Sequence, residues 1–124
     1  KLKEISYIHS EAYAAGELKH GTISLIEPGT LVVALASYVK LFDKTMSNVK
    51  EVKARGARVL GVALEGNRAI YSEADDVILV PRMDDLFVVP AEIVPLQLFA
   101  YYVAKANGCA IDKPKNLAKS VTVE

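Results

Sequence analysis

The chain has 124 residues, of which 52 % are apolar and 24 % charged, and its 15 basic residues balance its 15 acidic ones. This length suffices for one domain with a single core. Because no excess of positive charge is present to neutralise phosphates, nucleic acid is not expected as a main partner. The single cysteine, Cys109, cannot form an internal disulfide and is interpreted as structural, which favours a reducing, cytoplasmic location.

Targeting and membrane segments are not expected from the sequence. Pro, Glu, Gln and Lys interrupt every apolar run well short of the roughly 18 residues that a membrane helix needs. The first residues, Lys-Leu-Lys-Glu, are not followed by the apolar run of a signal peptide. Because the chain also lacks an initiator methionine and is helical in pattern from residue 1, we expect a piece of a longer protein.

The apolar residues near the start recur at helical spacing and predict a first helix that ends near Gly16. Their positions are Leu2, Ile5, Ile8, Ala12 and Ala15. Turns at Glu17 to Gly21 and at Pro28-Gly29 then lead to the β-branched run Thr30 to Ala36. A continuous run of this kind predicts a strand buried on both faces.

A second helix and two further strands follow. Ser37 is expected to cap this helix, whose apolar stripe runs from Leu41 to Val52 and which closes at Arg55-Gly56. The buried runs Arg58 to Leu64 and Val77 to Val80 predict the second and third strands. Strands that alternate with helices in this way predict an α/β domain with a parallel sheet and right-handed crossovers.

The last predicted helix, Pro90 to Ala106, is apolar on almost every side and ends at Asn107-Gly108. Either Pro90 or Pro95 is expected in its first turn, where a missing N–H costs little. A helix with apolar side chains on every side must pack against other protein on every side. A small domain rarely provides so many contacts alone. A contact with another domain or subunit is therefore expected.

Two places near the start of the chain suggest proton transfer. Lys1 and Glu4 are three residues apart on the first helix and share one face. Such a pair is either an ordinary surface ion pair or a carboxylate base with a cation beside it. His20 lies in a turn before Gly21, which suits proton transfer better than His9, interpreted as part of an apolar helix stripe.

The tail from Asp112 to Glu124 carries the remaining candidate, Lys119. The tail has one Pro, no Gly and several apolar residues, so it is not typical of disorder. Docked in a pocket, the Lys119 amine would lose solvation, and its lowered pKa would make the neutral form available to attack a carbonyl. The alternative is a solvated terminal lysine.

Cofactor and metal motifs are not found. Two histidines and one cysteine without ligand spacing make a metal site improbable. The sequence has no GxGxxG loop, no Walker-type loop and no GxSxG elbow, so no cofactor is expected.

Two segments, KEISYIHSEAYAAGELKHG near the start and KPKNLAKSVTVE at the end, closely resemble glutamine–fructose-6-phosphate aminotransferases (isomerising), also called glucosamine-6-phosphate synthases. The chain resembles the second of their two sugar isomerase (SIS) domains over essentially its whole length. The resemblance implies a three-layer α/β/α sandwich with a mainly parallel, flavodoxin-like or Rossmann-like sheet. Residues 1–111 would form the SIS domain and residues 112–124 an active-site tail.

The resemblance also implies roles for single residues. Lys119 matches the lysine that opens fructose 6-phosphate and holds its carbonyl carbon as a Schiff base. Glu4 matches the glutamate that moves a proton between the first two sugar carbons. Lys1 matches a lysine that assists at the sugar hydroxyls. His20 matches the histidine that helps to open the ring and reaches the neighbouring subunit's site. Thr22 stands where many members have Pro, which affects local stiffness rather than chemistry.

The implied reaction converts glutamine and fructose 6-phosphate to glutamate and glucosamine 6-phosphate. The implied partners are the sugar phosphates, the first SIS domain with its phosphate loop, the glutaminase domain and a second copy in a homodimer; the isolated chain is expected to be inactive. One alternative is an SIS-family fructosamine-phosphate deglycase, which lacks a glutaminase domain. The other is a regulatory SIS domain that only binds sugar phosphate, although such a module has no need for Lys119.

Overall fold

A computed structural model describes residues 1–115 of the chain. The helices are α1 (Leu2–Ser6), α2 (Phe42–Lys53) and α3 (Asp85–Ala106), and the strands are β1 (Leu31–Leu35), β2 (Arg58–Leu64) and β3 (Asp76–Val80). Short 3-10 helices lie at Ala15–His20, Thr22–Leu25, Val39–Leu41 and Ala69–Ser72. The described residues divide into two compact units, one of residues 13–93 and one of residues 1–12 together with residues 94–115.

The larger unit is built on a parallel sheet in the order β1-β2-β3. Leu31 of β1 lies opposite Arg58 of β2, and Leu60 of β2 lies opposite Asp76 of β3. Every residue of β2 after Arg58 is buried, because a central strand is covered on both faces. The prediction of an α/β fold with a parallel sheet is confirmed, and the predicted strands match the observed ones to within one residue at each end.

Helices cover both faces of this sheet. Alternate side chains of a strand point to opposite faces. Val59 of β2 packs in one cluster with Val49 and Val52 of α2. Val62, which points the other way, packs in a different cluster with Val88 at the start of α3. The core of the larger unit therefore lies in two apolar layers, one on each side of β2.

Gly61 in β2 lets the 3-10 helix Ala69–Ser72 approach the sheet closely. A Cβ atom at this position would lie 2.8 Å from Cγ1 of Ile70 and 3.1 Å from Cβ of Ala74. Ile70 is fully buried and cannot swing away. The glycine is thus required by packing rather than by an unusual backbone angle.

Gly61→Ala is expected to lower the free energy of unfolding by about 1–3 kcal/mol, because the added methyl group overpacks the core. Equilibrium urea unfolding followed by circular dichroism measures this change. Gly16→Ala is the matched control, since nothing lies within 4 Å of its new Cβ atom, and it should change the free energy by less than about 0.5 kcal/mol. Equal stability of the two variants would contradict the packing argument.

Asp75, just before β3, links α2 to the sheet. Its carboxylate accepts hydrogen bonds from Nζ of Lys53 at 2.8 Å and from the backbone N–H of Val59 at 2.7 Å. The bond from Lys53 and then that from Val59 hold the pKa of Asp75 below its ordinary value. Because the group is exposed to solvent, the link fixes position more than it adds stability.

The prediction of a first helix extending to Gly16 is wrong. Helix α1 ends at Ser6, and Tyr7 adopts a left-handed conformation with φ 57° and ψ 24°. Beyond it the side chains of Ile8 and Tyr13 are exposed, so no buried face supports further helical turns. His9 lies outside the helix with its side chain 80 % exposed, and therefore does not belong to an apolar stripe.

Ser37 does not cap α2 as predicted. Its buried hydroxyl donates a hydrogen bond to the carbonyl oxygen of Val62 at 3.3 Å, and α2 begins only at Phe42. The reason is that a buried hydroxyl needs a partner, and the neighbouring strand offers a carbonyl. The predicted closure at Arg55-Gly56 agrees with the structure, where Gly56 has φ 89° after the last turn.

The start of α3 also differs from the prediction. The helix begins at Asp85, where the carboxylate of Asp84 accepts a hydrogen bond from the N–H of Leu86 at 3.0 Å. Pro90 and Pro95 thus lie inside the helix, and each removes one main-chain hydrogen bond. The predicted end is confirmed: Gly108 has φ 65°.

The surface of α3 remains largely apolar, as the sequence predicts. Large apolar side chains are exposed along it: Leu86, Phe87, Val89, Ile93, Val94, Leu98, Tyr101 and Tyr102. Among residues 1–115, α3 is also the one helix long and apolar enough to cross a membrane. Length and composition alone are weak grounds for a membrane span, because an interior helix of a globular protein can share both.

Candidate active site

Helix α1 positions the first two predicted site residues by burying its opposite side. Ile5 packs against Ala100 and Ala104 in the second half of α3. The buried hydroxyl of Ser6 donates a hydrogen bond to the carbonyl oxygen of Ala100 at 3.2 Å. With this side of the short helix fixed, Glu4 is left on the accessible side.

Lys1 and Glu4 form the pair that their spacing predicts. Nζ of Lys1 lies 2.9 Å from Oε2 of Glu4, and the two side chains are 59 % and 38 % exposed. An exposed ion pair of this kind contributes little to stability. The arrangement presents a carboxylate to solvent with a cation beside it.

His20 lies in the larger unit, at the end of the 3-10 helix Ala15–His20. The following residue, Gly21, has φ 143°, a conformation that favours glycine, so the turn depends on it. Nε2 of His20 lies 3.8 Å from Oε2 of Glu17, and the imidazole is 75 % exposed. The ring is therefore accessible to solvent.

Lys119 lies outside the described residues, as does the rest of the segment Asn116 to Glu124. The described part of the tail ends in two contacts to Tyr7. The backbone N–H of Lys115 donates a hydrogen bond to the Tyr7 hydroxyl at 2.9 Å. Nζ of Lys115 lies 4.9 Å from the centroid of the Tyr7 ring.

The sequence alone does not predict the contact between Tyr7 and Lys115. The two residues are 108 positions apart, and neither has a pattern that indicates a site. The available signal is position: Tyr7 follows Glu4 by three residues, and Lys115 precedes Lys119 by four. Both therefore flank predicted site residues.

A concave region lies at the carboxyl ends of the strands, where ligands of parallel α/β sheets often bind. This open cleft of about 490 Å³ is lined by polar residues from all three strand ends, among them Ser37, Glu65, Asn67 and Arg82. None of the predicted site residues in the described chain lines it. Within residues 1–115, no three His, Cys, Asp or Glu side chains are grouped so that they could hold a metal ion.

The chain is similar to enzymes from several organisms that all carry the same name. Enzymes named glutamine–fructose-6-phosphate aminotransferase [isomerizing] match over all 124 residues, with 59 % identity in Clostridium acetobutylicum, 57 % in Clostridium tetani and 54 % in Thermus thermophilus. The chain spans 20 % of the length of each of these relatives.

A solved structure and a family model agree with these relatives. The C-terminal domain of glucosamine-fructose-6-phosphate aminotransferase from Francisella tularensis superposes with a TM-score of 0.80 and 37 % identity, over 90 % of this chain and 32 % of that one. The family model for the SIS domain matches residues 1–106, which include the paired Lys1 and Glu4, His20 and the whole parallel sheet. The chain therefore belongs to the SIS domain family.

Proposed function

We propose that this chain is the C-terminal isomerase part of a glutamine–fructose-6-phosphate aminotransferase. The observation that carries the proposal is the accessible Lys1–Glu4 pair. The chain that holds this pair matches enzymes of that name over all of its own 124 residues at 54–59 % identity. The full-length protein would convert fructose 6-phosphate and glutamine to glucosamine 6-phosphate and glutamate, a step that supplies hexosamines.

In the proposed mechanism the amine of Lys119 attacks C2 of the opened sugar and forms an imine with loss of water. His20 of the neighbouring subunit assists ring opening by proton transfer to the ring oxygen. Lys1 steadies the sugar hydroxyls. Ammonia from glutamine displaces Lys119 from C2, since the product carries nitrogen there. Glu4 then takes a proton from C1 and returns it to C2, which leaves an aldehyde at C1.

The proposed partners follow from the length of the relatives and from the surface of α3. Four fifths of each relative lies outside the region that this chain matches, which leaves room for a glutaminase domain and a first SIS domain that binds the phosphate. The exposed apolar side chains along α3 have the chemistry of a surface covered by further protein. We propose a cytoplasmic homodimer in which residues 1–111 form the second SIS domain and residues 112–124 a tail over the sugar, with no cofactor, nucleic acid or membrane partner.

The proposal is tested with the full-length protein, fructose 6-phosphate and glutamine, with glucosamine 6-phosphate measured as the product. Product should form only when both substrates are present, and the 124-residue chain alone should form none. Sedimentation of the full-length protein should give the mass of a dimer.

The two alternatives give different outcomes in the same assay. Consumption of fructosamine phosphate without glutamine would favour a deglycase. Binding of sugar phosphate without any turnover would favour a regulatory domain. The lysine in the tail supports an enzyme over a regulatory domain, because binding alone needs no nucleophile.

A further inference from the structure

The 3-10 helix that carries His20 is held against α2 by two neighbouring side chains. Nζ of Lys19 lies 2.6 Å from Oε1 of Glu51, which belongs to α2. Leu18 packs against the apolar cluster that α2 shares with β1 and β2. All of these residues lie in the larger unit, so the contacts are internal to one compact part of the molecule.

The geometry of a 3-10 helix turns these two contacts into a constraint on His20. Such a helix has three residues per turn, so consecutive side chains point about 120° apart. Leu18 is directed into the apolar cluster, and Lys19 is directed toward the carboxylate on α2. His20 is therefore left on the third side, where its imidazole is 75 % exposed.

The helix around His20 has little rigidity of its own. Short 3-10 helices have poor hydrogen-bond geometry. This one, Ala15–His20, has no side-chain hydrogen bond at its N-cap and no buried residue. Gly21 follows directly with φ 143°, so the chain leaves the helix at a residue that has no Cβ atom to restrict it. The direction of the imidazole therefore depends on the contacts that the helix makes with α2.

Resting on the proposed function, we propose that Glu51 is a positioning residue that acts through Lys19 to aim His20 at the sugar ring. Proton transfer to the ring oxygen requires the imidazole within hydrogen-bond reach of it. Glu51 restrains the residue whose Cα atom lies about 3.8 Å from that of His20. The ion pair is partly exposed, with side chains that are 52 % and 34 % accessible, so it adds little to stability. Its loss should affect the chemical step rather than folding.

The test measures glucosamine 6-phosphate formation by the full-length protein. Glu51→Gln keeps the shape of the side chain and removes its charge. This variant should lower kcat by about two- to five-fold, the effect of one partly exposed ion pair, while KM for fructose 6-phosphate and the melting temperature stay unchanged. Lys19→Gln should have a similar effect, and the double variant should be no slower than either single one, because each removes the same interaction.

The matched control is another ion pair of α2. Nζ of Lys50 lies 3.8 Å from Oε1 of Glu73, and this pair does not involve the 3-10 helix that carries His20. Glu73→Gln removes the same charge from the same kind of contact. It should leave kcat at the wild-type value, and a loss equal to that of Glu51→Gln would contradict a specific effect on His20.

A further variant shows whether Glu51 acts through His20. His20→Asn should lower kcat by about 10²-fold or more, the contribution of a general acid. Adding Glu51→Gln to this variant should cause no further loss, because no imidazole remains to be aimed. A second, independent loss in the double variant would overturn the inference.

The outcomes separate this inference from the proposed function. Wild-type kcat in both Glu51→Gln and Lys19→Gln would overturn the role of Glu51 and leave the proposed function intact. Wild-type product formation in His20→Asn would refute the role of His20 and, with it, the inference. A fall in melting temperature that parallels the loss of kcat would show that the ion pair supports folding alone, which also overturns the inference.

Discussion

Replacing Glu4 by glutamine in the full-length protein is expected to lower the rate of glucosamine 6-phosphate formation by about 10²- to 10⁴-fold, the contribution of a well-placed general base. The change is nearly isosteric and removes only the ability to take a proton. Because Glu4 lies on the accessible side of α1, away from Ile5 and Ser6, the fold should not change.

Two measurements test the role of Glu4: exchange of a sugar proton with solvent, and trapping of the bound sugar. Exchange of the sugar's C1 proton with solvent should fall by the same factor as turnover, whereas trapping of sugar as an imine should persist. Glu11→Gln is the control, because this exposed carboxylate pairs with His9 at 3.6 Å and has no role in the proposed mechanism. Undiminished proton exchange in Glu4→Gln would assign the base to another residue.

Replacing Lys119 by arginine is expected to reduce the borohydride-trapped adduct to background and to abolish product formation. Arginine keeps the positive charge, but its guanidinium stays protonated at neutral pH and cannot form the imine. Mass spectrometry of the trapped wild-type protein should place the sugar on the peptide that contains Lys119.

The control for this variant is Lys113→Arg, the same change in the described and exposed part of the tail. It should leave both adduct and product at wild-type levels. An adduct on Lys1 or on any other lysine in the wild-type protein would contradict the mechanism. Loss of sugar binding in Lys119→Arg, measured by calorimetry, would indicate a role in binding instead of covalent catalysis.

The sheet was predictable from the sequence because its strands are buried runs whose pattern does not depend on distant partners. β2, from Arg58 to Leu64, is observed as predicted. The first helix was not predictable to its end, because spacing alone does not reveal whether a face will be buried. Leu2 and Ile5 find a partner in α3, whereas Ile8 stays exposed and the helix stops before it.

The candidate site also has parts that local sequence patterns predict and parts that depend on distant contacts. Local patterns are enough to predict these three candidates, because Lys1 and Glu4 are three residues apart at the start of α1 and His20 directly precedes a glycine. Ser37 was misassigned as a cap because its partner, Val62, lies on another strand. The contact between Tyr7 and Lys115 has no local signal, since the fold alone brings the two together.

The smaller unit joins residues 1–12 to residues 94–115, and this bears on when the surface around Glu4 can form. The hydroxyl of Ser6 bonds to a carbonyl 94 residues later, and Tyr7 to a backbone group 108 residues later. During synthesis the ribosome makes the strands of the larger unit long before these partners emerge, and domains generally fold as units. Contacts of such long range also form slowly. The surface that carries Glu4 is therefore expected to form only after Ala100 and Lys115 have been synthesised.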